Sequence, residues 1–206
     1  MVSGATGSGK TRWVFSFLKA MSRLYTENPP THVLYCYGIY QDLYDDIQRA
    51  VKHITFHQGP PTQEDLVALS QKGSHGLVIL DDLMSEVSND RQIEKLFTQG
   101  THHLHLSVIY IVQNVMYQNR HSRTISLNTQ YMVLFKNYRD PSQIFCLARQ
   151  IYPRRPAVLM DAYDDATSPP FGYLVVDLHP RTLDDRQRLQ TGIFPGETRA
   201  FYQPLP

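Results

Sequence analysis

One octapeptide near the start limits the possible folds more than any other feature. Gly4-Ala5-Thr6-Gly7-Ser8-Gly9-Lys10-Thr11 satisfies G-x-x-x-x-G-K-[ST] at every fixed position. The spacing follows from chemistry. Glycines let the backbone take φ > 0 and wrap closely around a phosphate. The amides then point inward, and the helix that follows turns the positive end of its dipole toward the same anion. In such a loop Lys10 reaches the β- and γ-phosphates of ATP, and the Thr11 hydroxyl goes to Mg2+. Gly4 to Thr11 are therefore the candidate ATP-binding residues. The helix is legible directly behind them: Val14, Phe17, Leu18, Met21, Leu24 and Tyr25 recur with a 3.6-residue period.

A phosphate loop ordinarily follows a buried strand. Here Met1, Val2 and Ser3 precede Gly4, against a usual strand of ~5–6 residues. The first strand is expected to be a stub, as in a truncated gene. That feature supports one alternative reading, a remnant that folds but does not hydrolyse ATP.

Downstream, short apolar runs alternate with helical patterns. Candidate strands are Val33–Tyr37, Ile54–His57, Leu77–Asp81, Leu106–Gln113, Tyr131–Lys136 and Tyr173–Leu178. Several are continuously apolar, as strands covered on both faces are. Helical patterns fall at Asp42–His53, Gln63–Gln71, Arg91–Thr98 and Pro141–Ile151. Thr62 can cap the second of these, although a strict capping box needs Glu or Gln where the chain has Asp65. The alternation predicts an α/β fold with a mainly parallel sheet flanked by helices. The 206 residues suit one domain, 1–206.

A second acidic site matches the first. Leu77-Val78-Ile79-Leu80-Asp81-Asp82 is an apolar strand that ends in two carboxylates. Such a strand delivers Asp81 to the Mg2+ beside Thr11. Asp82 is the candidate water-positioning base, with Glu86 a weaker one. Gln113, at the tip of the Leu106 strand, can sense a γ-phosphate. Arg120, Arg123 and Arg139 are candidates for an arginine supplied to a neighbouring subunit. A small-molecule kinase also carries a phosphate loop, but no lid or acceptor pocket is evident.

Charge narrows the partners. The net formal charge is +1, which excludes a generally basic nucleic-acid coat. Residues 115–155 nevertheless hold seven basic side chains against one acidic. That segment is the candidate for DNA contact or for an intersubunit face. Cys36 and Cys146 sit in apolar runs and are expected to be buried free thiols. His102, His103 and His105 lack further ligands at metal spacing. No apolar run approaches the ~18 residues of a membrane span, and an intracellular setting is expected.

The stretch from Leu77 to Pro153 resembles the genome-packaging ATPases of large DNA viruses and of Maverick/Polinton-type elements, in the FtsK/HerA superfamily. The residues that carry it are Asp81-Asp82-Leu83-Met84, Leu96 to His103, Gln113-Asn114, Arg123 to Asn128 and Phe135 to Asp140, continued by Ala148-Arg149-Gln150 and Gly172-Tyr173-Leu174. The resemblance implies a RecA-like P-loop NTPase of the ASCE type. It also implies a homo-oligomeric ring that pushes double-stranded DNA into a capsid, meeting a capsid or portal-vertex protein at a viral assembly site in the nucleus or cytoplasm. The superfamily's nucleotide residues fall on Lys10, Thr11, Asp81 and Asp82, and its sensor on Gln113. Many members place Glu where this chain has Asp82. A HerA-like translocase used in DNA processing is the nearest alternative.

Overall fold

The computed structural model describes residues 1–25, 27–72, 75–83, 96–97, 104–116 and 120–203, with 120–122 as backbone only. Glu86, His102, His103, the Arg120 side chain and all of the expected helix Arg91–Thr98 except Leu96 and Phe97 lie outside the described residues. In chain order the elements are β1 (Val2–Ser3), α1 (Lys10–Leu24), β2 (His32–Tyr37), α2 (Leu43–Ala50), β3 (Ile54–Gln58), α3 (Gln63–Gln71), β4 (Gly76–Asp81), β5 (Leu106–Val112), α4 (Arg120–Leu127), β6 (Tyr131–Phe135), α5 (Pro141–Ile151), α6 (Ala157–Ala166), β7 (Tyr173–Asp177), β8 (Leu189–Thr191) and β9 (Ala200–Tyr202). A short 3-10 turn, Asp185–Gln187, precedes β8.

The chain divides into two compact units. One comprises Thr11–Val112 and Gln118–Asn128. Its strands lie in the order β3-β2-β4-β5, and every pair is parallel. All six residues of β4 are buried. That explains its apolar run: a parallel strand covered on both faces has no side left for polar residues. The α3 helix is closed at its start by Thr62. The Thr62 N–H donates to the Asp65 carboxylate at 2.9 Å, and the Asp65 N–H donates to Thr62 Oγ1 at 3.2 Å. This corrects the expectation that the box needs Glu or Gln, because the shorter aspartate closes the same ring. The bonds from the Thr62 hydroxyl and amide hold the Asp65 carboxyl below its usual range.

The other unit comprises Met1–Lys10, Gln113–Tyr117 and Thr129–Pro206. Its strands lie in the order β1-β6-β7-β8-β9. β1 is the expected stub of two residues, buried and parallel to β6, with Val2 opposite Val133 and Ser3 opposite Leu134. The sheet is mainly parallel, as expected, but the run from β6 through β7 and β8 to β9 pairs antiparallel. The cause is α6, which the sequence reading missed. Two helices, α5 and α6, connect β6 to β7. The first carries the chain away from the C-terminal end of β6, and the second brings it back there. Near the end of α6, Tyr163 hydrogen-bonds to the Phe135 carbonyl and the Asn137 amide, marking that return. β7 can then only run down, antiparallel, with Tyr173 opposite Phe135.

Leu134, Ile144, Leu147, Leu159, Leu174 and Val176 are buried in this unit's core. Helix α5 buries Ile144, Leu147 and Ala148 on one stripe. Cys146 falls on the opposite stripe and is exposed, which corrects the expectation of two buried thiols; Cys36, in the middle of β2, is buried.

Candidate nucleotide site

The octapeptide forms a tight loop between β1 and α1. Its turn is closed by the Ser8 N–H donating to the Ala5 carbonyl at 3.2 Å. Gly7 and Gly9 have φ of 76° and 100°, where a side chain is disfavoured. Gly4 is needed for another reason: a Cβ there would stand 2.6 Å from Phe135 Cβ on β6. Lys10, the first residue of α1, arches back over the loop, and Nζ donates to the carbonyls of Gly4 and Ala5, each at 2.8 Å. An ammonium is thereby held beside the loop amides at a helix N-terminus, an arrangement suited to phosphate.

Ser3 and Gly4 line a small cleft with Gln113, Phe135, Asn137 and Asp140. The candidate sensor thus stands beside the first loop glycine, within the same unit. The cleft's other wall is fixed by hydrogen bonds. The Asn137 N–H donates to the Tyr163 hydroxyl at 2.9 Å, and that hydroxyl donates to the Phe135 carbonyl at 3.1 Å. Asp140 accepts from Ser142 and, at 2.6 Å, from Gln143 Nε2; these bonds hold its carboxyl below the usual range.

In the other unit, β4 ends on Asp81, which is 3% exposed. Three hydroxyls converge on its Oδ2: Tyr35 at 2.7 Å, Tyr44 at 3.1 Å and Thr11 at 3.5 Å. Burial and then the Asp81 carboxylate push the phenol of Tyr35 up, and they do the same for Tyr44. Both tyrosines therefore stay neutral donors. Thr11, the second residue of α1, is held within reach of the carboxylate by the helix itself. A hydroxyl and a carboxylate are hard oxygen donors of the kind Mg2+ takes, and Mg2+ ordinarily retains several waters. The donor set fits that ion. Asp82 follows with φ 55°, and its side chain is exposed. Aspartate tolerates that left-handed conformation better than most residues.

No family model matches the sequence, and no curated protein matches it. Solved structures do. The genome-packaging NTPase B204 from Sulfolobus turreted icosahedral virus 2, in complex with ATP-gammaS, aligns over 100% of this chain and 96% of its own, with a TM-score of 0.55 at 13% identity. Its complex with sulfate gives 0.54 at 14% identity over 95% of that chain. B204, the DNA-packaging ATPase from Sulfolobus turreted icosahedral virus, gives 0.61 at 10% identity over 96% of that chain. The chain has the fold of a packaging NTPase. At such low identity the likeness to B204 shows the fold alone.

Arg123 is exposed on α4. Lys136 and Arg139 flank the exposed Tyr138 on the β6–α5 loop, with the Lys136 ammonium 5.2 Å from the Tyr138 ring centre. Arg149, Arg154 and Arg155 lie at and beyond the far end of α5. In that unit the basic segment is thus divided between the two ends of α5. Among the described residues no three His, Cys, Asp or Glu side chains are grouped to hold a metal ion, and no helix is long and apolar enough to cross a membrane.

The sequence reading missed Tyr35, Tyr44 and Phe171. Tyr35, Tyr37, Tyr40, Tyr44 and Phe56 form one aromatic cluster, from which Tyr35 and Tyr44 reach Asp81. The available signal was the period-2 spacing of Tyr35 and Tyr37 on a strand next to the acidic one. For Phe171 the signal was Pro169-Pro170-Phe171-Gly172, a turn with phenylalanine in a place that favours glycine.

Proposed function

We propose that the chain acts as a single P-loop ATPase domain that drives double-stranded DNA into a viral or virus-like capsid. The observation that carries this reading is the Gly4–Lys10 loop, with Lys10 arched over it, in a chain that has the packaging-NTPase fold. ATP binds at Gly4–Thr11. Thr11 and Asp81 hold the Mg2+, which when bound offsets charge on the β- and γ-oxygens. Asp82 positions the attacking water, with Glu86 as the weaker candidate. Gln113, beside Gly4, senses the γ-phosphate. An arginine such as Arg123 reaches a neighbour's site in a homo-oligomeric ring of FtsK/HerA type. The ring engages DNA through phosphate contacts, so binding is independent of sequence and weakens with salt. A capsid or portal-vertex protein is the docking partner, at the viral assembly site.

ATP turnover measured with and without double-stranded DNA tests this. Turnover stimulated by DNA of any sequence, with the stimulation declining as salt rises, is the expected result. Turnover that DNA leaves unchanged even at low salt would remove the DNA motor and leave a nucleotidase.

A further inference from the structure

Phe171 is an aromatic side chain displayed where a water-facing turn favours another residue. Pro169 to Gly172 form a four-residue turn closed by the Gly172 N–H donating to the Pro169 carbonyl at 2.9 Å. Pro170 is its second residue, and Phe171, its third, has φ 62°. A turn with positive φ at the third position favours glycine or asparagine there. Phenylalanine pays a backbone cost in that conformation. Core packing does not explain it, because Phe171 is 67% exposed.

The turn is rigid. Two prolines enter it, and Gly172 lies so close to the end of α6 that a Cβ would stand 2.4 Å from the Ala166 carbonyl oxygen. The ring is therefore held in a fixed place against the phosphate loop. A Cβ on Gly9 would meet Phe171 Cδ1 at 3.0 Å and its Cβ at 3.5 Å. Gly9 is the last glycine before Lys10 and α1, so the ring borders the end of the loop that leads into the helix.

We infer that Phe171 is the stacking platform for the nucleobase of the bound nucleoside triphosphate. Every base has a π-face, so one exposed ring suffices to hold it without reading its hydrogen-bonding edge. A strained, exposed aromatic fixed on the loop that binds phosphate has the placement this job requires. The inference rests on the reading of Gly4–Thr11 as a nucleotide site, and tripolyphosphate separates the two. Tripolyphosphate carries the phosphates without the base.

The test measures equilibrium affinity for a non-hydrolysable ATP analogue and for tripolyphosphate, on the full chain. Phe171→Ala is expected to weaken the ATP analogue about tenfold, the scale of one base–aromatic stack, and to leave tripolyphosphate unchanged. Phe171→Trp should retain ATP affinity and show tryptophan quenching on binding. Phe171→Gly, which suits the turn, should match Phe171→Ala in affinity while its Tm does not fall. Equal weakening of both ligands by Phe171→Ala would overturn the platform in favour of a role in shaping the loop. Unchanged affinity for both would also overturn it. A parent chain that binds neither ligand would overturn the nucleotide site and the platform with it.

Discussion

Replacing Lys10 by alanine is expected to abolish ATP turnover and to weaken ATP binding by about 100-fold or more. The loss follows from the contacts that Lys10 can make. In the structure its ammonium donates to the Gly4 and Ala5 carbonyls at 2.8 Å, over the mouth of the loop. From there it can turn to phosphate oxygens, and each hydrogen bond to a charged group contributes about 1.5–3 kcal/mol. Two such bonds convert to about 100-fold or more in affinity. Folding should survive, because Lys10 is only half-buried and solvent can replace it at the two carbonyls. Calorimetric titration with a non-hydrolysable analogue, alongside a thermal melt, measures both effects. Unchanged ATP affinity in Lys10→Ala would show that the loop does not bind phosphate through this residue.

The second large effect is at Asp81. Asp81→Ala is expected to lower turnover by about 10²-fold or more, the scale of losing a preorganised charged group at a reacting phosphate. It should also destabilise the fold. The tyrosines that donate to Asp81 Oδ2 are deeply buried, Tyr35 at 0% and Tyr44 at 2% exposure. They also lie within hydrogen-bonding reach of one another, so one can accept from the other once the carboxylate is gone. One phenol proton is then left without that acceptor, at a cost of about 1–3 kcal/mol. Adding Tyr35→Phe removes a stranded proton. The double variant is therefore expected to be more stable than Asp81→Ala alone while staying inactive. Its nucleotide affinity should no longer respond to Mg2+. Additive destabilisation in the melts would contradict this account of the tyrosines, and a retained Mg2+ response would contradict the role of Asp81.

The parts of this chain that the sequence made legible share a local cause. The Gly4–Thr11 loop depends on glycine geometry and on the charge of Lys10, both visible within eight residues. β4 and its terminal Asp81 were legible because a doubly covered parallel strand must be apolar until it emerges. Helices α3 and α5 match their patterns residue for residue. The antiparallel β7 was not legible, because strand direction depends on whether one helix or two intervene. Helix α6 carries only a short pattern, Leu159, Ala162, Tyr163 and Ala166, between two proline-containing turns. The tyrosine donors to Asp81 were hidden for another reason. They come from β2 and α2, 46 and 37 residues away in sequence, and only the sheet order β2-β4 brings them to one carboxylate. Phe171 similarly reaches Gly9 only because α6 returns the chain to the C-terminal end of β6.

Geometry that depends on spacing was thus readable, and geometry that depends on topology was not. Asp82 lies between these cases. Its place after Asp81 is fixed by sequence, but its left-handed backbone is a property of the fold. Gly38 packs closely there: a Cβ on it would stand 2.6 Å from the Asp82 carbonyl oxygen. The Asp82 side chain is exposed.

The proposed function requires that ATP hydrolysis at this site move the protein along double-stranded DNA. Displacement of a third strand from a triplex, placed at one end of a long duplex, measures this directly. Displacement is expected to require ATP and Mg2+, to slow as the intervening duplex lengthens, and to disappear in Lys10→Ala. ATP turnover stimulated by duplex DNA, with no displacement at any duplex length, would contradict it.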